Sequence, residues 1–166
     1  MVIVRRAGPC DGDVLGEIHA AAWEAAYAPF FEAGFAAGAV ADRRTRWHER
    51  VGSGAVATTL LAEQEGRGVA LSAYGPSATR PGLAEILSFY SHPDVWGGGV
   101  AAALMGGTLR HVREAGFTRV HLWTLRETPR SRRFYVKCGF NECRTGRTID
   151  FGDGRPLDQV EYERPC

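Results

Sequence analysis

Three consecutive glycines, Gly97, Gly98 and Gly99, stand between a strand-like apolar stretch (Glu85, Ile86, Leu87, Ser88, Phe89, Tyr90) and an alanine- and leucine-rich run of helical character. Without Cβ atoms the backbone can turn through positive φ and gather successive N–H groups on one point, to which a helix N-terminus adds partial positive charge. The chemistry of such a point is anion binding, most readily of phosphate. A P-loop would close its glycine run with Lys and Ser or Thr, where this chain has Val100 and Ala101. A Rossmann turn would follow the first strand of a βαβ unit early in the chain. Neither nucleotide motif fits.

A second segment, TPRSRRFYVKCGF at residues 128–140, lies downstream after a strand-like RVHLWTL. The glycine segment resembles motif A of the GNAT superfamily of acyl-CoA-dependent N-acyltransferases, whose strand ends in apolar-x-Pro and leads to Q/R-x-x-G-x-G/A at a helix head. Here Ser91-His92-Pro93 precedes Trp96-Gly97-Gly98-Gly99-Val100-Ala101. The downstream segment resembles motif B, N-x-x-A-x-x-F-Y-x-K-x-G-F, with Phe134, Tyr135, Lys137, Gly139 and Phe140 in place. Two motifs in the right order are far more specific than a lone glycine run, which is usually only a flexible turn. The departures are Trp96 for Gln or Arg, Thr128 for Asn and Ser131 for Ala. Trp96 matters least if its position acts through the backbone N–H, whereas Thr128 offers the pantetheine a shorter hydroxyl in place of an amide.

The resemblance implies an α/β (α+β) fold with a mixed, mainly antiparallel sheet of about seven strands flanked by about four helices. It implies acetyl-CoA as cosubstrate, lying where two central parallel strands splay apart. Carried over to this chain, the backbone of Phe89, Tyr90 and Ser91 would pair with the pantetheine arm and hold the thioester carbonyl. The N–H groups of Trp96, Gly97, Gly98, Gly99, Val100 and Ala101 would take the phosphates, with Thr128 and Tyr135 completing the cofactor side. The reaction that the resemblance implies is attack of a neutral primary amine on the thioester, which would need a base for the amine and a donor for the leaving thiolate. Tyr135 matches the family's general acid. Glu85 matches a frequent glutamate, and its apolar strand would raise its pKa toward a working base.

The bland readings are that Phe134 and Tyr135 are core aromatics of an amphipathic helix, accepted for Phe134, and that Glu85 faces solvent or an arginine. His92, Tyr90 and a water relay compete as the base. Trp23, Tyr27 and Phe31, with Phe30, Phe35 and Trp47, place aromatic surface in the region that covers the acceptor in the family resembled, although aromatics at helical spacing are mostly core. Glu24, Glu32, Asp150 and Asp153 could meet a cationic amine and are equally at home on a wet surface. The expected acceptor is the amine of a small molecule. A non-catalytic acyl-CoA-binding module, and transfer to a protein N-terminus, a lysine or an aminoacyl-tRNA, are the alternatives, and there is room for a homodimer.

Composition points the same way. At 166 residues, 45% hydrophobic and 23% charged, the chain has the material for one globular domain, residues 1–166. Its formal net charge of +1 gives little field for a nucleic acid or an anionic membrane. Residues 126–147 are locally basic, with Arg126, Arg130, Arg132, Arg133, Lys137, Arg144 and Arg147, which would suit CoA phosphates or form a solvated face. Cys10, Cys138, Cys143 and Cys166 form no C-x-x-C pair, and five scattered histidines offer no metal-ligand spacing, so reduced thiols, no metal and a cytoplasmic location are expected. No leader-like or membrane-length apolar run is seen.

The elements that must position these residues follow from periodicity and punctuation. A strand is expected over residues 2–6. Asp11 or Asp13 caps a helix through about Tyr27, ended by Pro29. A linker, FFEAGFAAG, leads to a second helix over residues 39–51, stopped by Gly52-Ser53-Gly54. Strands follow near residues 55–63, 67–74 and 85–90, then the helix after the glycines with Gly116 as its C-cap. A strand over 119–125, a helix over 130–138 and a final pair of strands over 140–151 and 157–164 close the sheet.

Overall fold

The computed structural model describes residues 1–52 and 54–166. Among them the strands are β1 (Val2–Arg6), β2 (Thr58–Gln64), β3 (Arg67–Pro76), β4 (Ala84–Ser91), β5 (Arg119–Leu125), β6 (Asn141–Ile149) and β7 (Leu157–Pro165). The helices are α1 (Gly12–Ala26), α2 (Ala33–Thr45), α3 (Trp47–Arg50), α4 (Val100–Glu114) and α5 (Pro129–Lys137). The sheet order is β1-β2-β3-β4-β5-β7-β6. β4 and β5 run parallel, paired from Ala84–Val120 to Ile86–Leu122, while β1–β2, β2–β3, β5–β7 and β6–β7 are antiparallel. This is the expected mixed sheet.

The second expected helix is displaced. It begins at Ala33, not residue 39, and ends at Thr45, with α3 as a separate turn before Val51. Gly34 and Gly38 read as linker because each glycine costs a helix about 1 kcal/mol. Tertiary packing overrides that preference: α2 buries Ala36, and it crosses α1 so closely that a Cβ on Gly16 would lie 1.9 Å from the Arg44 carbonyl oxygen. β2 starts at Thr58 and β6 spans Asn141–Ile149, both shorter than expected. Ser53, within the expected helix stop, lies outside the described residues.

Two compact units interleave along the sequence, Met1–Tyr74 with Ser88–Thr108 and Gly75–Leu87 with Leu109–Cys166. In the first, Leu61 pairs with Leu71 and Thr59 with Ala73 across β2 and β3, so these residues share one sheet face. Leu61, Leu71 and Ala73 form a core with Leu15, Ile18, Trp47 and Val51, and Tyr90 packs against it. On the opposite face, α4 reaches the sheet where the Ser72 and Thr108 hydroxyls hydrogen-bond at 2.7 Å, and a Cβ on Gly107 would meet Val4 at 2.7 Å. The fully buried Trp47 donates its indole N–H to His19 Nδ1 at 3.0 Å. Since an indole nitrogen only donates, His19 must be unprotonated at Nδ1.

In the second unit both helix ends close alike. After α5, Phe140 N–H bonds Tyr135 O at 3.0 Å and Gly139 N–H bonds Val136 O at 3.0 Å, with Gly139 at φ +84°. After α4, Phe117 and Gly116 repeat the pattern onto Val112 and Arg113, with Gly116 at φ +94°. These are Schellman caps, which need a left-handed residue at the turn and set an apolar residue back against the helix. The rings of Phe140 and Tyr135 accordingly meet edge-on, 5.9 Å apart.

A charged network crosses the sheet of this unit. His121, fully buried, has Nε2 at 2.7 Å from Ser77 Oγ and 3.7 Å from Glu85 Oε2, and Nδ1 2.9 Å from Glu161 Oε1, although off the line of a hydrogen bond. Arg80 Nη1 bridges Glu161 and Glu163 at 2.9 and 2.6 Å, and Arg119 also pairs with Glu163. Glu161 is 2% exposed, so its charge depends on Arg80.

Arg80→Met should therefore lower stability by about 2–4 kcal/mol in urea unfolding, by leaving a buried carboxylate without its guanidinium. A loss under about 0.5 kcal/mol, the scale of an exposed pair, would show that Arg80 does not balance Glu161. A second expectation concerns His19. Burial, with the charges of Arg43, Arg46 and Arg50, pushes it from 6.5 down to about 2. Between those values the unfolded chain binds a proton that the folded protein does not, so stability falls as pH drops below 6.5. From pH 7 to pH 5 the wild type should lose about 2 kcal/mol more than His19→Asn, whose amide oxygen can still accept from Trp47. Parallel losses in urea titrations at the two pH values would refute this.

Candidate active site

The first unit holds the strand end, the glycine turn and the helix it opens. His92 N–H, just beyond β4, bonds Val69 O at 2.8 Å, and a single 3-10 turn over Pro93–Val95 follows. Trp96 folds back, its indole N–H donating to Ser91 O at 2.9 Å, and so ties the two ends of the turn together. Gly97 and Gly99 both sit at φ +82°, a conformation open to glycine and strained for other residues. Nothing lies within 4 Å of a Cβ built on either, so the space over the turn is open. Ala103 N–H bonds Gly99 O at 3.1 Å, which makes Gly99 the residue that caps α4.

Of the amides assigned to phosphate from the sequence, Trp96 and Gly98 donate within the turn, to Pro93 O and Val95 O at 3.1 and 3.2 Å. The amides of Gly97, Gly99, Val100 and Ala101 remain as donors, the last two in the first turn of a helix, where no intrahelical acceptor exists. Open space, left-handed glycines and a helix head together fit a pyrophosphate.

Trp23, Tyr27 and Phe31 come together with Tyr90. Trp23 stacks on Phe31 at 5.2 Å and lies 6.4 Å from Tyr27, and Tyr27 meets Tyr90 edge-on at 6.3 Å. His19 lies against Tyr90 with ring centroids 4.1 Å apart. Trp23 is a core residue, whereas Tyr27 and Phe31 keep part of their surface. The Tyr90 ring retains some exposed surface, but protein crowds its phenol and burial raises it above its ordinary value, opposed by Arg43, Arg46 and Arg50. Tyr90 is thus a phenol that keeps its proton through the neutral range.

The second unit holds Glu85, Thr128 and Tyr135. Glu85 belongs to the His121 network described above, with a side chain 14% exposed. Thr128 precedes α5 and its hydroxyl donates to Leu125 O at 2.6 Å, a local use of the group that the motif assigns to the cofactor. Tyr135 is buried among Phe134, Phe140 and Tyr162, with ring centroids 5.5, 5.9 and 5.9 Å away. His92 accepts from Asp94 N–H at 3.3 Å through Nδ1.

Arg43, Arg46 and Arg50 were not singled out in the sequence, although their spacing puts them on one face of consecutive helical turns. The basic segment that did stand out is partly structural: Arg132 bonds Tyr162 Oη and Glu142 at 3.2 and 2.7 Å, and Arg147 lies over Trp123 at 4.3 Å. Of the acidic candidates, Glu24 and Glu32 are exposed, Asp150 accepts from Gly152 and Gly154, and Asp153 accepts from Arg155. Burial raises the thiols of Cys138, Cys143 and Cys166. Among the described residues no helix is long and apolar enough to cross a membrane, and no cluster of His, Cys, Asp and Glu is arranged to hold a metal.

No curated protein sequence is significantly similar to the chain. Its fold is shared with solved structures. The PaiA N-acetyltransferase of Thermoplasma acidophilum, in complex with coenzyme A, superposes with a TM-score of 0.78 at 18% identity, over 100% of this chain and 99% of that one. A ribosomal-protein-alanine N-acetyltransferase of Brucella melitensis gives 0.71 at 21%, over 99% of both chains. YncA, a putative acetyltransferase of Salmonella typhimurium solved with acetyl-CoA, gives 0.71 at 19%, over 99% of this chain and 94% of that one. The model of the Acetyltransferase (GNAT) family matches residues 17–140. That span runs from α1 through the glycine turn to the Phe140 cap, and the chain belongs to the GNAT family of acetyl-CoA-dependent acetyltransferases.

Proposed function

We propose that this enzyme, acting as one domain in the cytoplasm, moves the acetyl group of acetyl-CoA to the primary amine of a small molecule by direct attack. The observation that carries the reading is the turn at the head of α4, where two left-handed glycines open space in front of helix-end amides directly after the strand end. Acetyl-CoA supplies an activated acyl group on a thiol. The amides of Gly97, Gly99, Val100 and Ala101 hold its pyrophosphate, and the backbone of Phe89, Tyr90 and Ser91 aligns the pantetheine arm and the thioester. Thr128 contributes to the same side through the lone pairs its hydroxyl retains.

The amine nitrogen bonds the acyl carbon as the carbon–sulfur bond breaks, the amine gives up a proton, and the thiolate takes one. Tyr135 donates that proton to sulfur, and Glu85 takes the amine's, directly or through water. His92 is the competing base, while the proton-holding Tyr90 is disfavoured for that role. Trp23, Tyr27 and Phe31 enclose the acceptor and keep water from the thioester. The extent of aromatic wall suits a modest molecule, and the net charge of +1 offers no general pull on a polyanion such as tRNA.

With acetyl-CoA at about 100 times its Kd, the protein should gain roughly 2.7 kcal/mol, read as a rise in Tm. Gly99→Val, which places a branched side chain at φ +82°, should lose that rise while keeping its far-UV circular dichroism. Undiminished stabilisation of the variant would place the phosphates elsewhere. Tyr135→Phe should cut kcat about 100-fold with acetyl-CoA affinity retained. Wild-type turnover in that variant would leave Tyr135 a packing residue.

A further inference from the structure

The aromatic wall of the first unit carries cations that the family assignment does not explain. Arg43 lies over the Trp23 ring at 4.3 Å and Arg50 over the Trp47 ring at 5.2 Å. Arg43 donates one Nη1 hydrogen bond to Ala39 O at 3.0 Å, and its Nε is buried without a partner. Arg46 pairs with Asp42, but among the described residues no carboxylate lies within 4 Å of Arg43 or Arg50. All three charges act on both His19 and Tyr90, so they converge on the strand end where the acyl group would lie. A ring face compensates only part of what a guanidinium loses on burial.

The remaining polar atoms there are donors as well. His19 accepts from Trp47 at Nδ1 and is neutral, so its hydrogen is on Nε2, which is buried with no partner. Tyr90 keeps its hydroxyl proton. A buried guanidinium edge, an imidazole N–H and a phenol with no acid among them form a set that an anion satisfies and a second cation would not. Burial also pulls the Arg43 guanidinium below its ordinary value, which an anionic partner would reverse.

We propose that the acceptor carries a carboxylate as well as its amine, and that Arg43, supported by Arg46 and Arg50, holds this carboxylate beside Trp23, Tyr27 and Tyr90. The substrate class is then free α-amino acids or close analogues with an apolar side chain. The amine faces the thioester and the aromatic rings take the side chain. This names the acceptor of the acetyl-transfer reading above and rests on it.

The test compares the free apolar amino acids with their carboxamides, by thiol release from acetyl-CoA, in wild type, Arg43→Gln and Arg43→Lys. In parallel, tryptophan fluorescence follows binding of the N-acetyl amino acids and their amides without CoA. The acids should exceed the amides by roughly 10-fold or more in kcat/KM. Arg43→Gln should remove that preference with KM for acetyl-CoA unchanged, and Arg43→Lys should keep part of it. If Arg43→Gln does not fold, Arg50→Gln, at an exposed position, should reduce the same ratio. Equal use of acids and amides, or a ratio unmoved by both Gln variants, overturns the proposal. So does a loss of acetyl-CoA affinity alone in Arg43→Gln, which would assign the arginines to CoA. Arg43-dependent binding of the N-acetyl acids with no transfer to any amine would support the carboxylate site and sink acetyl transfer instead.

Discussion

A backbone that passes twice within three residues through φ of +82° sets how the chain leaves β4 and enters α4. Gly97 and Gly99 turn the chain from the end of β4 into α4 without side chains over the helix head, and Gly99 is the first carbonyl that the helix uses. The Trp96 indole holds that turn to Ser91, so a large aromatic residue stands where the family usually has Gln or Arg and acts through its side chain. The strand end and the helix amides are thereby tied to one another by local contacts, and the bond from His92 N–H to Val69 O anchors the same strand end to β3.

The residues legible in the sequence are those whose role is set by local backbone geometry. Gly116 and Gly139 could be read as helix ends because a left-handed residue after an apolar helix has few other uses, and both sit in Schellman caps. The closing Gly-Phe of the second motif thus serves to end α5 and return Phe140 to Tyr135. Thr128 was legible as a departure, but not its bond to Leu125 O, which depends on how the chain turns before α5.

Long-range packing accounts for what was missed. The start of α2 was hidden because Gly34 and Gly38 look like breakers, and only the crossing with α1 makes a helix there favourable. Arg43, Arg46 and Arg50 have the composition of a wet helix face, and the indole rings beneath Arg43 and Arg50 come from other segments or the preceding turn. Residues 126–147 read either as a phosphate-binding segment or as a solvated face, and neither reading showed that Arg132 meets Tyr162 and Glu142 or that Arg147 covers the Trp123 ring. Glu85 was recognisable as a costly carboxylate, but its His121 and Glu161 network required the pairing of β4, β5 and β7.

The backbone contact between α1 and α2 at Gly16 and Arg44 bears on how such an enzyme can change over generations. Where two helices touch without side chains between them, the crossing itself offers no position at which a pocket can be enlarged or narrowed. Any substitution at Gly16 would force the helices apart. Beyond the crossing, Tyr27 and Phe31 keep part of their surface exposed, and side chains there can change size without moving the two helices. The crossing fixes the spacing of the two helices, while the aromatic positions beside it have room for side chains of other sizes.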